Sequence, residues 1–175
     1  MQNSSAALVQ KASKKKKATD RLDMRILTAL SERGRQTLTE LSKTVGLSAT
    51  PCGARVDQLE EQKVILGYHA DVDIEGIADL SLYFVTIALN PYSAEVARKL
   101  ESLMAASPFV VSADALFGSI DYLLKVYARS TQHYHTIMAP FVELGVDYET
   151  WPVSRKVMAP KMHRLIGHLT NESGQ

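Results

Sequence analysis

Residues 48–55 carry side chains that could bind a polyanion or the polar edge of a base. Ser48 and Thr50 supply hydroxyl groups, and Arg55 supplies a guanidinium. A hydroxyl both donates and accepts hydrogen bonds, and a guanidinium can contact phosphate or a base bidentately. Pro51 suits the first turn of a helix, where its missing N–H costs little. These four residues are therefore candidates for a binding surface at the start of a helix.

The surrounding segment, residues 38–65, predicts a helix, a tight turn, a second helix and a strand. Each predicted helix has one apolar face, formed by Leu38, Leu41 and Val45 in the first and by Cys52, Val56 and Leu59 in the second. Thr37 and Glu40 have the spacing of a capping box. Gly46 can end the first helix in the left-handed conformation, and Ser48 can cap the second. This pattern predicts a helix-turn-helix, whose second helix enters the major groove of DNA.

Two residues of the second helix have alternative roles. Arg55 either contacts DNA or pairs with a nearby acid such as Glu60. Cys52 lies on the apolar stripe, which favours a buried structural thiol over a redox sensor, because the chain has no second cysteine to resolve an oxidised one. The lone cysteine also excludes an intrachain disulfide and fits a reducing compartment.

Composition fits a globular protein with an unusual charge distribution. The 175 residues have a formal net charge of +1 and are 46% hydrophobic. Lys11 and the run 14–17 carry all the charge of the first 17 residues, which predicts a disordered basic tail that is either merely solvated or adds phosphate contacts. We expect a cytoplasmic protein, because we find neither a membrane-spanning apolar run nor a signal peptide.

The second half of the chain predicts alternating strands and helices. The expected strands are 80–89, 109–116, 121–128 and 146–157, and the expected helices are 94–106 and 130–144. This order is the βαββαβ motif of a ferredoxin-like domain. The predicted fold class is therefore α+β, with an N-terminal winged helix-turn-helix and a C-terminal ferredoxin-like domain. The expected boundaries are a tail at 1–18, the helix-turn-helix at 19–66, a linker strand or hinge at 67–78, the second domain at 79–158 and an extension at 159–175. The predicted strand itself covers residues 64–72 and so spans the boundary between the helix-turn-helix and the linker.

Two motifs on these elements resemble the Lrp/AsnC family of transcription regulators. The first is Leu47-Ser48-x-Thr50-Pro51-Cys52-x-x-Arg55-Val56, which is similar to the family's recognition helix. The second is Gly118-x-x-Asp121-Tyr122, which is similar to the signature of its effector domain. The resemblance covers about residues 20–157.

The resemblance implies DNA as a partner, a dimer formed through the sheets, further assembly of dimers, and an amino-acid effector. The implied effector loop comprises Phe117, Gly118, Asp121 and Tyr122. Asp121 could hold a ligand's ammonium group or merely cap the turn. Phe117 stands where the family often has threonine, and its ring should favour apolar ligands or fill the pocket. The recognition helix also departs from the family in Gly53 and in its acids, and Lys63 stands where glycine is usual.

Two other hypotheses compete with that of a DNA-binding regulator. Sirohaem decarboxylases share the two-part architecture, so an enzyme of that kind is the alternative hypothesis. A helix-turn-helix that no longer binds DNA is a third. We expect no catalytic residues and no cofactor. We also expect no metal site, because the histidine pairs at 133/135 and 163/168 have poor spacing for binding one metal ion from a helix.

Overall fold

The computed structural model describes residues 19–158 and 161–172, which form two compact units. The first unit contains the described residues up to Asp71 together with those from Met158 onward, and the second is Val72–Val157. The predicted lysine-rich tail lies outside the described residues. In chain order the elements are α1 (Arg21–Glu32), α2 (Leu38–Val45), α3 (Ala49–Glu61), α4 (Ile74–Ile77), β1 (Ser81–Ala88), α5 (Ala94–Ala106), β2 (Val110–Ala115), β3 (Tyr122–Ala128), α6 (Thr131–Val142), β4 (Asp147–Pro152) and α7 (Met162–Glu172).

The helix-turn-helix forms where the capping residues predict it. The Thr37 hydroxyl accepts the Glu40 N–H at 3.2 Å, and the Glu40 carboxylate accepts the Thr37 N–H at 2.7 Å. This capping box starts α2, as predicted. Gly46 ends α2 with φ 73°, the left-handed conformation that glycine adopts without a steric penalty. Both predictions are confirmed.

A small apolar core holds the first three helices together. Its buried members are Ile26, Ala29, Leu41, Val45, Cys52 and Leu59. Gly53 lies on the side of α3 that faces α2, and a Cβ added there would approach Leu38 Cδ2 to 3.1 Å. The missing side chain therefore allows a close approach of the two helices, which offsets the lower helix propensity of glycine.

The strand expected over residues 64–72 is wrong, and with it the wing of the helix-turn-helix. No strand is assigned there, since the chain instead folds back on the end of α3. The N–H groups of Val64 and Ile65 both donate to the Leu59 carbonyl, at 2.9 and 3.1 Å. Lys63 takes a left-handed φ of 55° to allow this turn. The apolar pair 64–65 thus packs on the helical core and has no partner strand.

The second unit confirms the predicted ferredoxin-like domain. Its four strands are all antiparallel, in the order β2-β3-β1-β4, and α5 and α6 connect them in a βαββαβ sequence. Alternate residues of the central strands, such as Val85, Leu124 and Val126, are fully buried beneath these two helices. The observed bounds lie within a few residues of the predicted ones, except that β4 ends early, at Pro152.

The C-terminal helix α7 packs against α1 in the first unit. At this contact Gly167 faces Thr28, whose Cγ2 would lie at an ordinary van der Waals distance of 3.9 Å from an added Cβ. The large apolar residues Met162, Leu165 and Leu169 remain exposed. In the part of the chain that the structure describes, no helix is long and apolar enough to span a membrane.

Candidate nucleic-acid interface and ligand loop

The N-terminal turn of α3 is open to solvent. Ser48, Thr50 and Pro51 are all exposed, and Thr50 lies on the side of the helix away from the buried Cys52. Ser48 occupies the N-cap position, but its hydroxyl makes no capping hydrogen bond. The predicted cap is therefore correct in position and wrong in its bond. The hydroxyls can still meet an external ligand, and so can the N–H groups of the first turn, which have no intrahelical acceptor.

Arg55 points away from this surface and into the first unit. Its Nη1 atom lies 2.6 Å from Asp20 Oδ2 and 2.6 Å from Asp23 Oδ1. The two aspartates form the capping box of α1, with the Asp20 N–H bound to Asp23 at 2.9 Å and the Asp23 N–H bound to Asp20 at 2.8 Å. The guanidinium therefore joins α3 to the start of α1.

The electrostatics of this cluster favour the charged forms of its groups. The backbone N–H of Asp23 and the Arg55 guanidinium lower the pKa of Asp20, outweighing its desolvation. Hydrogen bonds to Asp23 and Asp20 raise the pKa of Arg55. Two carboxylates beside one guanidinium give the cluster a net negative charge, so it attracts a phosphate weakly.

The acids of α3 separate into paired and unpaired groups. Glu60, the partner expected for Arg55, instead accepts a hydrogen bond from the Tyr68 hydroxyl at 2.7 Å, so that expectation is wrong. Desolvation and this bond raise the pKa of Tyr68 to about 12. Asp57 and Glu61 are exposed. Their charges oppose phosphate, so the C-terminal half of α3 is a poor surface for the DNA backbone.

Cys52 lies in the core with none of its surface exposed. Burial raises the pKa of its thiol, which keeps it protonated and unreactive. The structural interpretation of this cysteine therefore holds.

The loop between β2 and β3 is fastened by Asp121. Its carboxylate accepts the Leu89 N–H at 2.7 Å, and its backbone N–H donates to the Ile87 carbonyl at 2.8 Å. Gly118 has a φ of 154°, which side chains rarely adopt, while the space around it is open. Phe117 is 63% exposed, so its ring fills no cavity of this chain. Asp121 thus fixes the loop to the end of β1, and its other carboxylate oxygen makes no hydrogen bond within the described chain.

Tyr122 follows this loop as the first residue of β3, and it lines a neighbouring groove of about 400 Å³ between α5 and β2. The hydroxyl of this buried tyrosine donates to Glu101 Oε1 at 2.9 Å, and burial with this bond raises its pKa. The walls of the groove are mostly apolar and include Met104, Val110 and Ala113. An apolar groove with one carboxylate can accept a small ligand that carries an amine.

Comparisons with known proteins identify both units. The AsnC-type helix-turn-helix domain matches residues 20–60, and the Lrp/AsnC ligand binding domain matches residues 82–144. The transcriptional regulatory protein DoeX of Halomonas elongata is 33% identical over 144 residues, which cover 81% of this chain and 91% of DoeX. The chain belongs to the Lrp/AsnC family of transcriptional regulators.

Other members show the same likeness in sequence and fold. The leucine-responsive regulatory protein of Escherichia coli K12 is 35% identical over 70% of this chain and 74% of its own. A transcriptional regulator of Neisseria meningitidis, solved as a complex with L-Met, has a TM-score of 0.74 and is 26% identical, covering 81% of this chain and 94% of its own. An AsnC family regulator of Agrobacterium tumefaciens has a TM-score of 0.73 at 28% identity, with the same coverage.

Family membership decides between the two main hypotheses of function. These relatives are transcriptional regulators, which supports the regulator over the sirohaem-decarboxylase alternative. Within residues 19–158 and 161–172, no group of three histidine, cysteine or acidic side chains could hold a metal ion. Helix α7 lies beyond both matched domains.

Sequence reasoning missed the partners that organise the two sites. Asp20 and Asp23 are three residues apart at the N-cap and in the first turn of α1, which is itself a capping-box signal. Their contact with Arg55, more than thirty positions away, has no local signature. Glu101 lies on the polar side of a helix, and only the packing of α5 against the sheet brings it to Tyr122.

Replacing Arg55 tests its role within the first unit. We expect Arg55→Ala to lower the free energy of unfolding by about 1–2 kcal/mol, because it leaves two carboxylates facing each other without their shared donor. The pKa of Asp20 is lowered, so the wild-type contribution is complete above about pH 4 and is lost as the pH falls through the lowered pKa. Urea unfolding at pH 7 and pH 3 measures both effects.

Arg33→Ala is the matched control, because Arg33 makes only a 3.8 Å surface pair with Glu40. Its effect should stay within about 0.5 kcal/mol. Unchanged stability in Arg55→Ala together with weakened DNA binding would instead assign Arg55 to the DNA contact.

Proposed function

We propose that this regulator binds operator DNA through the N-terminal turn of α3, with Ser48, Thr50 and Pro51 at the contact. The observation that carries this proposal is the exposed, uncapped Ser48 hydroxyl at the start of the second helix of the turn motif. We further propose that Arg55 supports this surface from behind, since its guanidinium is bound to Asp20 and Asp23. The protein would act in the cytoplasm, where its DNA target lies.

Titration of DNA binding against salt tests this proposal. We expect the affinity to fall with rising salt, because bound cations are released from the phosphates. Deleting residues 1–17 removes five lysines and should make the salt dependence shallower without changing sequence preference.

Thr50→Ala should weaken specific DNA binding with little change in the free energy of unfolding, and Thr39→Ala on α2 serves as the control. If the wild type binds no DNA at low salt, the helix-turn-helix has lost its function.

We propose that the chain dimerises through the open face of its sheet. The face opposite α5 and α6 carries Phe84, Leu123 and Tyr127 on the central strands, with Trp151 beside Phe84 on β4. Trp151 is 57% exposed, and Lys125 lies 5.7 Å from the centre of the Phe84 ring. An aromatic-rich sheet face of this kind is more apolar than an ordinary surface and suits an interface. A two-fold dimer would present two recognition helices to a palindromic site.

Light scattering should give at least twice the 19.3 kDa chain mass at micromolar concentration. Trp151→Lys should shift the equilibrium towards monomer, because it places a charge in the apolar contact. Val142→Lys, at a comparably exposed position on α6, is the control and should leave the mass unchanged. A monomeric wild type would contradict the dimer.

We propose that a small amino acid is the effector and that it binds beside the Gly118–Asp121 loop. Three observations support this. The second unit matches the family's ligand binding domain, and the Neisseria meningitidis relative was solved with L-Met. In addition, the free carboxylate oxygen of Asp121 and the carboxylate of Glu101 can each accept a ligand's ammonium group. The exposed ring of Phe117 would then border the ligand and favour an apolar side chain.

Calorimetry against the amino acids tests the effector. We expect one binder, and Asp121→Asn should weaken it at least tenfold, because asparagine still accepts the Leu89 N–H but has no charge. Glu101→Gln distinguishes a ligand bound in the groove from one bound at the loop, because this substitution leaves the loop intact. If only Glu101→Gln abolishes binding, the ligand lies between α5 and β2. Binding that appears only in Phe117→Thr would mean that Phe117 blocks the site in the assembled protein.

A further inference from the structure

The outward face of α3 contains the residues that can meet base edges. Beyond Ser48 and Thr50, the exposed positions of the helix are Pro51, Ala54, Asp57, Gln58 and Glu61, and Ala49 is also exposed in the first turn. Positions 50, 54, 57, 58 and 61 follow helical spacing, so they form one stripe opposite the buried Cys52 and Leu59. This inference rests on the proposed binding of DNA by that face.

This stripe has no cation. The only basic residue of α3 is Arg55, and both aspartates of the α1 capping box hold it within the first unit. The commonest specific contact to guanine uses arginine or lysine, so α3 lacks the side chain for it. Asp57 and Glu61 repel the phosphates, and among base edges a carboxylate suits N4 of cytosine, so recognition of adenine on this stripe falls to a neutral group.

Gln58 is the neutral group best suited to base recognition. Its side chain is exposed, and its amide has no hydrogen-bond partner among residues 19–158 and 161–172. A glutamine amide can donate to N7 and accept from N6 of adenine at the same time. Ala54 lies one turn earlier on the same stripe, and its methyl group can pack on the C5-methyl of thymine.

We propose that Gln58 is a specificity-determining residue and that it recognises adenine, with Ala54 contacting a neighbouring thymine, so that operators of this regulator have A·T pairs at the major-groove positions facing α3. The geometry of the first unit supports this division of roles. The Arg55 guanidinium, which could recognise guanine, instead binds α3 to the start of α1. The uncharged amide of Gln58 and the methyl group of Ala54 are left to discriminate the bases.

Selection of bound duplexes from a random pool tests the proposal on the full chain. The wild type should enrich a motif with adenine at one fixed position and thymine close to it. Gln58→Ala should lose the adenine preference and bind the wild-type consensus roughly tenfold more weakly or worse. Gln58→Glu keeps the shape but removes the amide donors, and a carboxylate accepts from N4 of cytosine, so its preference should move from adenine to cytosine.

Gln62→Ala is the matched control, because Gln62 is a half-buried glutamine at the end of the same helix. It should enrich the wild-type motif. An enriched wild-type motif that is unchanged in Gln58→Ala would overturn the role of Gln58, and a motif rich in guanine would do the same. A wild type that enriches no sequence would instead contradict the proposed function. Circular dichroism of each variant excludes unfolding as the cause.

Discussion

The contact of Arg55 with Asp20 and Asp23 joins α3 to the start of α1, and the proposed DNA-binding surface depends on it. Helix α3 buries few large apolar side chains, and Gly53 contributes none where it meets α2. Hydrophobic burial is non-directional and fixes the rotation of such a helix poorly. Two charge-assisted hydrogen bonds at 2.6 Å are directional, so they set which residues of α3 face outward. The same two carboxylates cap α1, which makes the start of α1 and the orientation of α3 interdependent.

This use of arginine determines the electrostatics of the exposed surface. With its one cation turned inward, α3 presents hydroxyls at its N-terminal end and acids towards its C-terminal end. Attraction to the phosphates must then come from other parts of the protein, such as the basic N-terminal segment. In the proposed recognition, affinity and sequence preference belong to different residues, which accords with the general separation of backbone contacts from base contacts in DNA recognition.

The sequence predicts the elements well because their signals are local. Thr37 with Glu40 starts α2 and Gly46 ends it, and runs rich in β-branched, aromatic and other apolar residues predict the central strands. The failures concern pairing across the chain. Residues 64–72 are apolar enough for a strand, but a strand needs a partner, and Val64 instead returns to the end of α3. Arg55 has a nearby acid in Glu60, yet its partners precede it by more than thirty residues, and Glu60 binds Tyr68. Such choices depend on the packing of whole helices, which spacing along the chain does not encode.

Helix α1 combines these constraints in a single element. Its first turn holds α3 through two aspartates, its buried face contributes Ile26 to the core, and Thr28 contacts Gly167 of α7. Of the large apolar side chains of α7, Met162, Leu165 and Leu169 stay exposed. The first unit therefore includes α7, and its contact between α1 and α7 joins residues that are separated in sequence by the whole second unit. Contacts of such long sequence separation form late, because loop closure opposes them. The helix-turn-helix core, by contrast, is local, so α1 to α3 can form first and provide the surface on which α7 docks.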